Sequence, residues 1–215
     1  MAIITSHLGV FGHGLLVSLE LSSSTFILAG LLGLVLACFR ISPVLPLRVL
    51  GWAYVTVLRS VPLLVLLTLF VFGLPEIGML SSLFWTAVTA MSLYWAAFFC
   101  EAIRSGVLSV PAGQFEAGRA LGLSVAQVLR LIVLPQAVRS MIQPSASLLI
   151  AVILNSSLAS SVGVTEELTG QTQLLDQQYA QPLITFGAAS VCYIALTLLI
   201  GRLAAIMERK SVVLR

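Results

Sequence analysis

Charged residues are scarce in this sequence, because Asp, Glu, Lys and Arg together make up 9% of its 215 residues. An average soluble domain has about 25% charged residues and about 45–50% apolar ones. Here 59% of the residues are hydrophobic, which is more apolar surface than a compact soluble fold of this length can bury. The composition therefore excludes an ordinary soluble domain and predicts a protein embedded in a lipid bilayer.

The sequence also lacks the patterns that catalysis and nucleotide binding require. Its one lysine, Lys210, follows no glycine-rich loop, so the G-x-x-x-x-G-K-[ST] pattern of a nucleotide-binding loop is absent. Both histidines precede the first apolar run, and the three cysteines lie singly inside apolar runs, so no metal ligands or nucleophile–base pairs are grouped. The basic residues form no stripe with interleaved aromatics. We therefore expect no enzyme activity, no metal or cofactor in this chain, and no nucleic-acid partner.

Long apolar runs, by contrast, are abundant. A helix needs about 20 residues to cross ~30 Å of hydrocarbon, and five runs reach that length. These runs are continuous rather than alternating, so they suit helices and not the strands of a barrel. We predict an all-α membrane protein with five transmembrane helices in a single domain covering residues 1–215. The predicted spans are 14–39, 52–74, 79–104, 141–162 and 182–207.

The basic residues are distributed unevenly between the two sides of these spans. If the N-terminus lies outside, ten of the eleven Lys and Arg residues fall in cytoplasmic segments, and only Arg59 remains. The outer segments then contain none, which is the asymmetry that orients membrane proteins. We therefore predict a periplasmic N-terminus and a cytoplasmic C-terminus in a bacterial inner membrane. The long loop 105–140, between spans three and four, is then cytoplasmic.

This loop carries the signals of two short helices. Pro111 suits the first turn of a helix, and Gly122 suits its C-terminal end. Ser124 and Gln127 form a capping box that opens the second helix, which Pro135 ends or kinks. These signals alone leave open whether the loop is an amphipathic connector on the lipid surface or a contact for another protein.

The loop also carries a longer motif. The motif consists of Glu116-Ala117-Gly118-Arg119-Ala120-Leu121-Gly122, then nine residues, then Ile132-Val133-Leu134-Pro135. It resembles the E-A-A-x3-G-x9-I-x-L-P loop of bacterial ABC-importer permeases. Gly118 departs from the family pattern, which has Ala there, and softens the helix by up to ~1 kcal/mol.

Four further segments resemble elements of the polar amino acid branch of these permeases. They are Leu58-Arg59-Ser60-Val61-Pro62-Leu63-Leu64 (R-[GS]-x-P-L-L), Cys100-Glu101-Ala102-Ile103-Arg104-Ser105-Gly106 (E-x-x-R-x-G), Ser109-Val110-Pro111-Ala112-Gly113-Gln114 (S-[IV]-P-x-G-Q) and Asn155-Ser156-Ser157-Leu158 (K-[DN]-[ST]-S-L). In the last of these, Leu154 stands where the family has lysine. Together the segments cover most of the chain after Trp52.

The resemblance implies the membrane-spanning subunit of an ATP-driven importer for polar amino acids, with the glutamate/aspartate or glutamine type favoured. Its partners would be two cytoplasmic ABC ATPases that hold ATP and Mg²⁺, a second permease subunit (identical or a paralogue), a periplasmic amino-acid-binding protein and membrane lipid. The loop would be the coupling helix that docks on the ATPase. The implied contact residues are Gln114, Glu116, Ala117, Gly118, Arg119 and Gly122. For Arg119 and Arg130 a plain contact with lipid headgroups stays open.

Polar groups inside the spans are costly in lipid and are therefore candidates for the substrate path. They are Asn155, Ser156, Ser157 and Ser160 in span four, and Glu20 in span one. Asn and Ser side chains can interrupt a helix and expose backbone dipoles to a charged substrate, but they also hydrogen-bond between packed helices. For Glu20, both a water-filled gate and snorkelling to the membrane surface stay open.

The remaining candidates are structural or gating residues. Glu101 and Arg104 lie three apart on one helix face, which predicts an ion pair. Arg59, close to the helix-breaking Pro62, is expected near the inner interface, where it pairs or snorkels; Pro135 shapes the loop. Two other functions compete with the importer: a passive channel or secondary carrier, which needs no ATPase, and, with least support, an intramembrane enzyme.

Overall fold

Helices are the only regular elements in the part of the chain that the structure, a computed structural model, describes: residues 2–79 and 81–211. A short helix α1, Ala2–Ser6, leads into α2, Leu8–Ile41. With 34 residues, α2 is about 51 Å long at 1.5 Å per residue, which exceeds the ~30 Å of a hydrocarbon core. It contains no proline, and it ends just before Pro43, which cannot continue a helix.

The predicted second span, 52–74, in which Arg59 and Pro62 are expected as interruptions, is broken at Pro62 into two parts. Helix α3 covers Leu45–Ser60, and α4, Leu63–Thr68, continues through a π-helical turn, Leu69–Gly73, into α5, Leu74–Glu76. The two parts meet at 99°, because Pro62 lacks the amide hydrogen of a continuing helix and holds an extended conformation (φ −63°, ψ 136°).

The central helix is α6, Leu83–Leu108, which begins where the Ser82 side chain accepts a hydrogen bond from the Trp85 amide. It packs closely against α2 at Gly33. A Cβ atom on Gly33 would lie 2.4 Å from the Phe99 Cβ and 3.0 Å from the Ala96 carbonyl oxygen. Only glycine therefore permits this approach of the two helices.

Beyond α6 the chain forms the two short helices that the loop sequence predicts. Helix α7 covers Ala112–Ala120, and α8, Val125–Val128, passes through a π-helical turn, Leu129–Val133, into α9, Leu134–Ser140. Pro135 does not end this second helix. It sits at the start of α9, directly after the π-helical turn.

The last third of the chain contains three more helices. Helix α10, Ile142–Ser156, continues as a 3-10 helix, Ser157–Val162; then follow α11, Leu168–Tyr179, and α12, Pro182–Ser211. The sequence did not predict α11. The predicted spans 14–39, 79–104, 141–162 and 182–207 each overlap one long helix: α2, α6, α10 with its 3-10 continuation, and α12.

Within the described residues, four helices are long and apolar enough to cross a membrane, or five spans if the bent pair α3 and α4–α5 counts as one. The main core lies where α2, α4, α6 and α10 meet. Leu21, Leu67, Met91 and Val152, one from each helix, are fully buried there. This core positions the loop 105–140 at the end of α6 and the polar residues of α10 beside α6.

Candidate functional site

The loop after α6 folds into a helical hairpin, defined here as α7, the turn at Gly122, and α8–α9. Gly122 has φ +83°, a left-handed conformation that favours glycine. Its amide donates to the Arg119 carbonyl at 3.0 Å, and the Leu123 amide donates to the Gly118 carbonyl at 3.2 Å. This pair of bonds is the Schellman ending of a helix. The expected capping box is also present, with Ser124 and Gln127 each accepting a hydrogen bond from the other's amide.

The two arms of the hairpin pack together at Gly118, the buried residue of α7. A Cβ atom there would lie 2.8 Å from Cδ1 of Ile132 and 3.0 Å from Cγ2 of Val128. The absence of a side chain at position 118 thus makes room for two branched residues of the other arm. This explains in packing terms why glycine suits the position where the family pattern has alanine.

Polar contacts also tie the arms together. Gln136 donates from Nε2 to Oε1 of Gln114 at 2.8 Å, and Arg119 donates from Nη1 to the Leu123 carbonyl at 2.6 Å. Gln114 thus joins the two arms, and Arg119 holds the turn, through hydrogen bonds on the exposed surface of the hairpin. Glu116 and Ala117 remain exposed on its outer surface. Beside them Leu121 is 83% exposed, which is a large apolar side chain for the tip of a polar loop.

The base of the hairpin is fixed to the end of α6. A Cβ atom on Gly106 would lie 2.6 Å from the side-chain Cγ of Met141 and 3.3 Å from the Ala137 carbonyl oxygen, so α6 and α9 pack closely here. The Ser109 hydroxyl donates to the Gly106 carbonyl at 2.7 Å and lies 3.3 Å from the Ser140 hydroxyl. The base of the hairpin is therefore in direct contact with α6 and adjoins the start of α10.

The expected ion pair of Glu101 and Arg104 is present, with the Arg104 Nη2 atom 3.0 Å from the Glu101 carboxylate. A third member, Arg40 at the end of α2, lies 3.1 Å from the other oxygen of Glu101. Sequence reasoning missed Arg40, because no local spacing connects residues 40 and 101. Arg59 is exposed, and its guanidinium lies 5.2 Å from the centre of the Phe98 ring, within the range of a cation–π contact.

The polar side chains of span four donate hydrogen bonds to backbone carbonyls of their own helix. Asn155 donates to the Ala151 carbonyl at 2.8 Å, and Ser156, Ser157 and Ser160 each donate to the carbonyl three residues before at 2.7 Å. At Ser157 the α-helix tightens into a 3-10 helix. The cluster thus coincides with a local change of helix geometry, and its oxygen atoms can still accept hydrogen bonds.

The polar side chains of span one do not lie together. Glu20 is exposed, whereas Ser22 and Thr25 are buried. The Ser22 Oγ and Thr25 Oγ1 atoms have no hydrogen-bond partner within the described residues. Glu20 therefore lies on the exposed face of α2, away from these buried hydroxyls.

A buried acid that the sequence did not single out connects three helices. Glu167 is fully buried and caps α11, accepting a hydrogen bond from the Gly170 amide at 2.7 Å. Its other oxygen accepts from the Ser18 hydroxyl of α2 at 3.3 Å and the Tyr193 hydroxyl of α12 at 3.1 Å. Burial raises the pKa of Glu167, although these hydrogen bonds oppose the rise. Sequence spacing does not reveal this group, because its two hydroxyl partners, Ser18 and Tyr193, lie far along the chain from Glu167.

These features define a class: a helical membrane protein with a stiff helical hairpin attached to the end of its central helix. The chain matches the family described as "Binding-protein-dependent transport system inner membrane component" over residues 29–213. It belongs to this family, whose members are transporter components. The predicted membership of the ABC-importer permeases is thereby confirmed.

Individual relatives agree with this assignment. The probable glutamine ABC transporter permease GlnM of Bacillus subtilis (strain 168) is 38% identical over 71% of this chain and 68% of its own. The glutamate/aspartate import permease GltJ of Escherichia coli (strain K12) is 31% identical over 96% of this chain and 89% of its own. A crystal structure of an amino acid ABC transporter with histidines superposes with a TM-score of 0.91 at 28% identity, covering 96% of both chains.

Proposed function

We propose that this chain is the membrane-spanning subunit of an importer that carries a polar amino acid into the cell and is driven by a partner ATPase. The observation that carries the proposal is the helical hairpin, with Glu116 and Ala117 exposed on α7 and its base in contact with α6. Stiff short helices transmit the movement of a docked subunit with little loss, because their arms cannot bend independently. ATP and Mg²⁺ bind in that partner.

The proposed assembly has two cytoplasmic ATPases, a second permease subunit, and a periplasmic amino-acid-binding protein, in a bacterial inner membrane. Family membership supports the binding protein and the membrane location in general. The charge asymmetry supports an outer N-terminus and a cytoplasmic hairpin. Arg119 contributes to the docking surface indirectly, since it holds the Gly122 turn in shape.

For the substrate we propose glutamine or an acidic amino acid. The relatives named for glutamine and for glutamate/aspartate support this class. The proposed path passes the 3-10 segment at Asn155, Ser156, Ser157 and Ser160, where oxygen acceptors and a changed helix geometry lie together. Glu20, on the outer surface of α2, would meet the substrate only at the outer end of the path.

The docking role of the hairpin can be tested with a matched pair of exposed glutamates. In Glu116→Ala the ATPase should lose a charged contact worth about 1.5–3 kcal/mol, so we expect at least a roughly tenfold loss of ATPase that co-purifies with the tagged permease. ATP-driven uptake of labelled glutamine and glutamate into proteoliposomes should fall with it. The control Glu76→Ala removes an exposed glutamate from the opposite predicted side and should retain the ATPase.

Equal ATPase retention in both variants would contradict the docking role of Glu116. Uptake that continues without ATP or any co-purified ATPase would favour the passive channel or secondary carrier instead.

A further inference from the structure

A groove beside α3 collects four arginines from three helices. One part is lined by Arg40, Arg48, Val49, Trp52 and Arg104 and has a volume of about 440 Å³. It adjoins a second part of about 350 Å³, which shares Arg40 and Trp52 and extends to Arg59. We call the two parts together the arginine groove. On the proposed orientation it opens at the cytoplasmic edge of the membrane.

The charges in the arginine groove are not balanced. Glu101 is the one acid that lines it within the described residues, and both of its oxygens are already used by Arg40 at 3.1 Å and Arg104 at 3.0 Å. The Arg48 backbone amide donates to the Val44 carbonyl at 3.2 Å, but its guanidinium forms no ion pair with an acid of the described residues. Guanidinium groups held at this density favour an anion, and their planar forks bind phosphate oxygens in pairs.

Hydrocarbon surface lies directly beside these charges. On the exposed side of α3, Val49 is 52%, Trp52 56% and Val57 57% exposed. An exposed tryptophan next to arginines is typical of the level of lipid headgroups. A ligand that fits both surfaces has an anionic head and apolar tails.

We propose that the arginine groove binds the phosphodiester headgroup of an anionic phospholipid, with Arg48 as its principal free contact and the acyl chains along Val49 and Val57. A free phosphate or a substrate carboxylate would satisfy the guanidinium groups but would leave the apolar strip uncovered. Bound lipid would brace α3 against the Arg40–Glu101–Arg104 cluster, just before the bend at Pro62. The inference is independent of the proposed substrate and of the docking role of the hairpin.

The test uses the assembled importer in nanodiscs of equal parts phosphatidylglycerol and phosphatidylcholine. Native mass spectrometry counts the phospholipids that stay bound to the complex after it is released from the nanodisc. We expect the wild-type complex to retain phosphatidylglycerol preferentially. Arg48→Gln should retain about fivefold less. Arg202→Gln, a change at an exposed arginine of α12 outside the groove, should match the wild type. Arg48→Lys, which keeps the charge but loses the fork, should fall between them.

Several results would overturn the proposal. One is equal retention in Arg48→Gln and Arg202→Gln, and another is equal retention of the two phospholipids by the wild type. Displacement of phosphatidylglycerol by millimolar inorganic phosphate, or by glutamate, would assign the groove to a soluble anion. If Arg48→Gln fails to assemble with its partners, Arg48→Lys takes its place. Equal phosphatidylglycerol retention in Arg48→Lys and Arg202→Gln would then overturn the proposal.

Discussion

At the scale of single residues, Glu167 is a buried acid outside the predicted spans. It is fully buried, and its hydrogen-bond partners are an amide and two hydroxyls rather than a cation. A buried carboxylate without a positive partner is expensive in its charged form. Burial therefore raises the pKa of Glu167, and the donated hydrogen bonds only partly offset that rise.

This raised pKa predicts a pH-dependent stability. The folded state binds the proton of Glu167 more tightly than the unfolded chain, whose glutamates titrate near about 4.3. The stabilisation is therefore complete below that value and is lost as the pH rises through the higher folded pKa. The side chain in Glu167→Gln does not titrate. The difference in unfolding free energy between wild type and variant should therefore change across this pH window. Denaturant unfolding in detergent at a series of pH values measures it.

A second variant separates the charge of Glu167 from its hydrogen bonds. Glu167→Ala removes the cap of α11 and leaves the Ser18 and Tyr193 hydroxyls without their acceptor, which should cost about 2–3 kcal/mol at every pH. If Glu167→Gln kept the pH dependence of the wild type, the titrating group would lie elsewhere.

Residue-scale prediction from the sequence succeeded where partners are close along the chain. Glu101 and Arg104 pair as their spacing of three indicates. Arg40 joins them across 61 positions, and Ser18 meets Glu167 across 149, and no periodic pattern reports such contacts. The same limit applies to Glu20 and Ser22, which are neighbours in sequence but lie on different sides of α2.

At the scale of helices, two prolines share one arrangement. Pro75 and Pro135 each occupy the second position after a five-residue π-helical turn, Leu69–Gly73 and Leu129–Val133. Proline cannot donate the regular i to i−4 hydrogen bond, and its ring crowds the carbonyl of that earlier residue. A wider π-helical turn gives that carbonyl room, so the helix continues. This is why Pro135 does not end the second arm of the hairpin.

The hairpin itself predicts a specific effect at Gly122. No atom lies within 4 Å of a Cβ built there, so a substitution acts only through the left-handed backbone. Gly122→Ala should weaken the turn by about 1 kcal/mol and raise amide hydrogen exchange in α7 about fivefold. Gly122→Asn, whose side chain tolerates this conformation, should exchange more slowly than the alanine variant. Equal exchange in both would show that the turn conformation does not limit opening.

Sequence signals located the hairpin better than the bend in the second span. The capping box and the glycine stop are local, and both are present. Pro62 marks an interruption, but the 99° angle depends on how Leu63 and Leu67 pack into the core, which local spacing does not encode. Helix α11 escaped prediction because it is short and polar, and the buried cap that holds it in place becomes visible only in three dimensions.

At the scale of the whole molecule, the basic residues and the structural elements are divided between the two proposed sides of the membrane. On the proposed orientation the hairpin, the arginine groove and the C-terminal end of α12 lie on the cytoplasmic side. Helix α11 and its buried cap lie on the outer side. An ATPase and a binding protein would then meet opposite ends of one rigid core, in which α2 and α6 touch at Gly33. A transporter that an ATPase drives from one side and that receives substrate on the other side needs such a connection.

This orientation can be measured directly with single cysteines. In a chain whose three native cysteines are replaced, Glu76→Cys in the proposed outer segment should react with a membrane-impermeant maleimide in intact spheroplasts. Ala126→Cys in α8 should react only after permeabilisation. Both positions are exposed, so side-chain burial does not explain a difference. The physical reason is that Lys and Arg residues resist transfer across the membrane, and the predicted spans put ten of the eleven on the same side as Ala126. The reverse labelling pattern would place the hairpin outside, where no nucleotide-driven partner could reach it, and would refute the docking role as well.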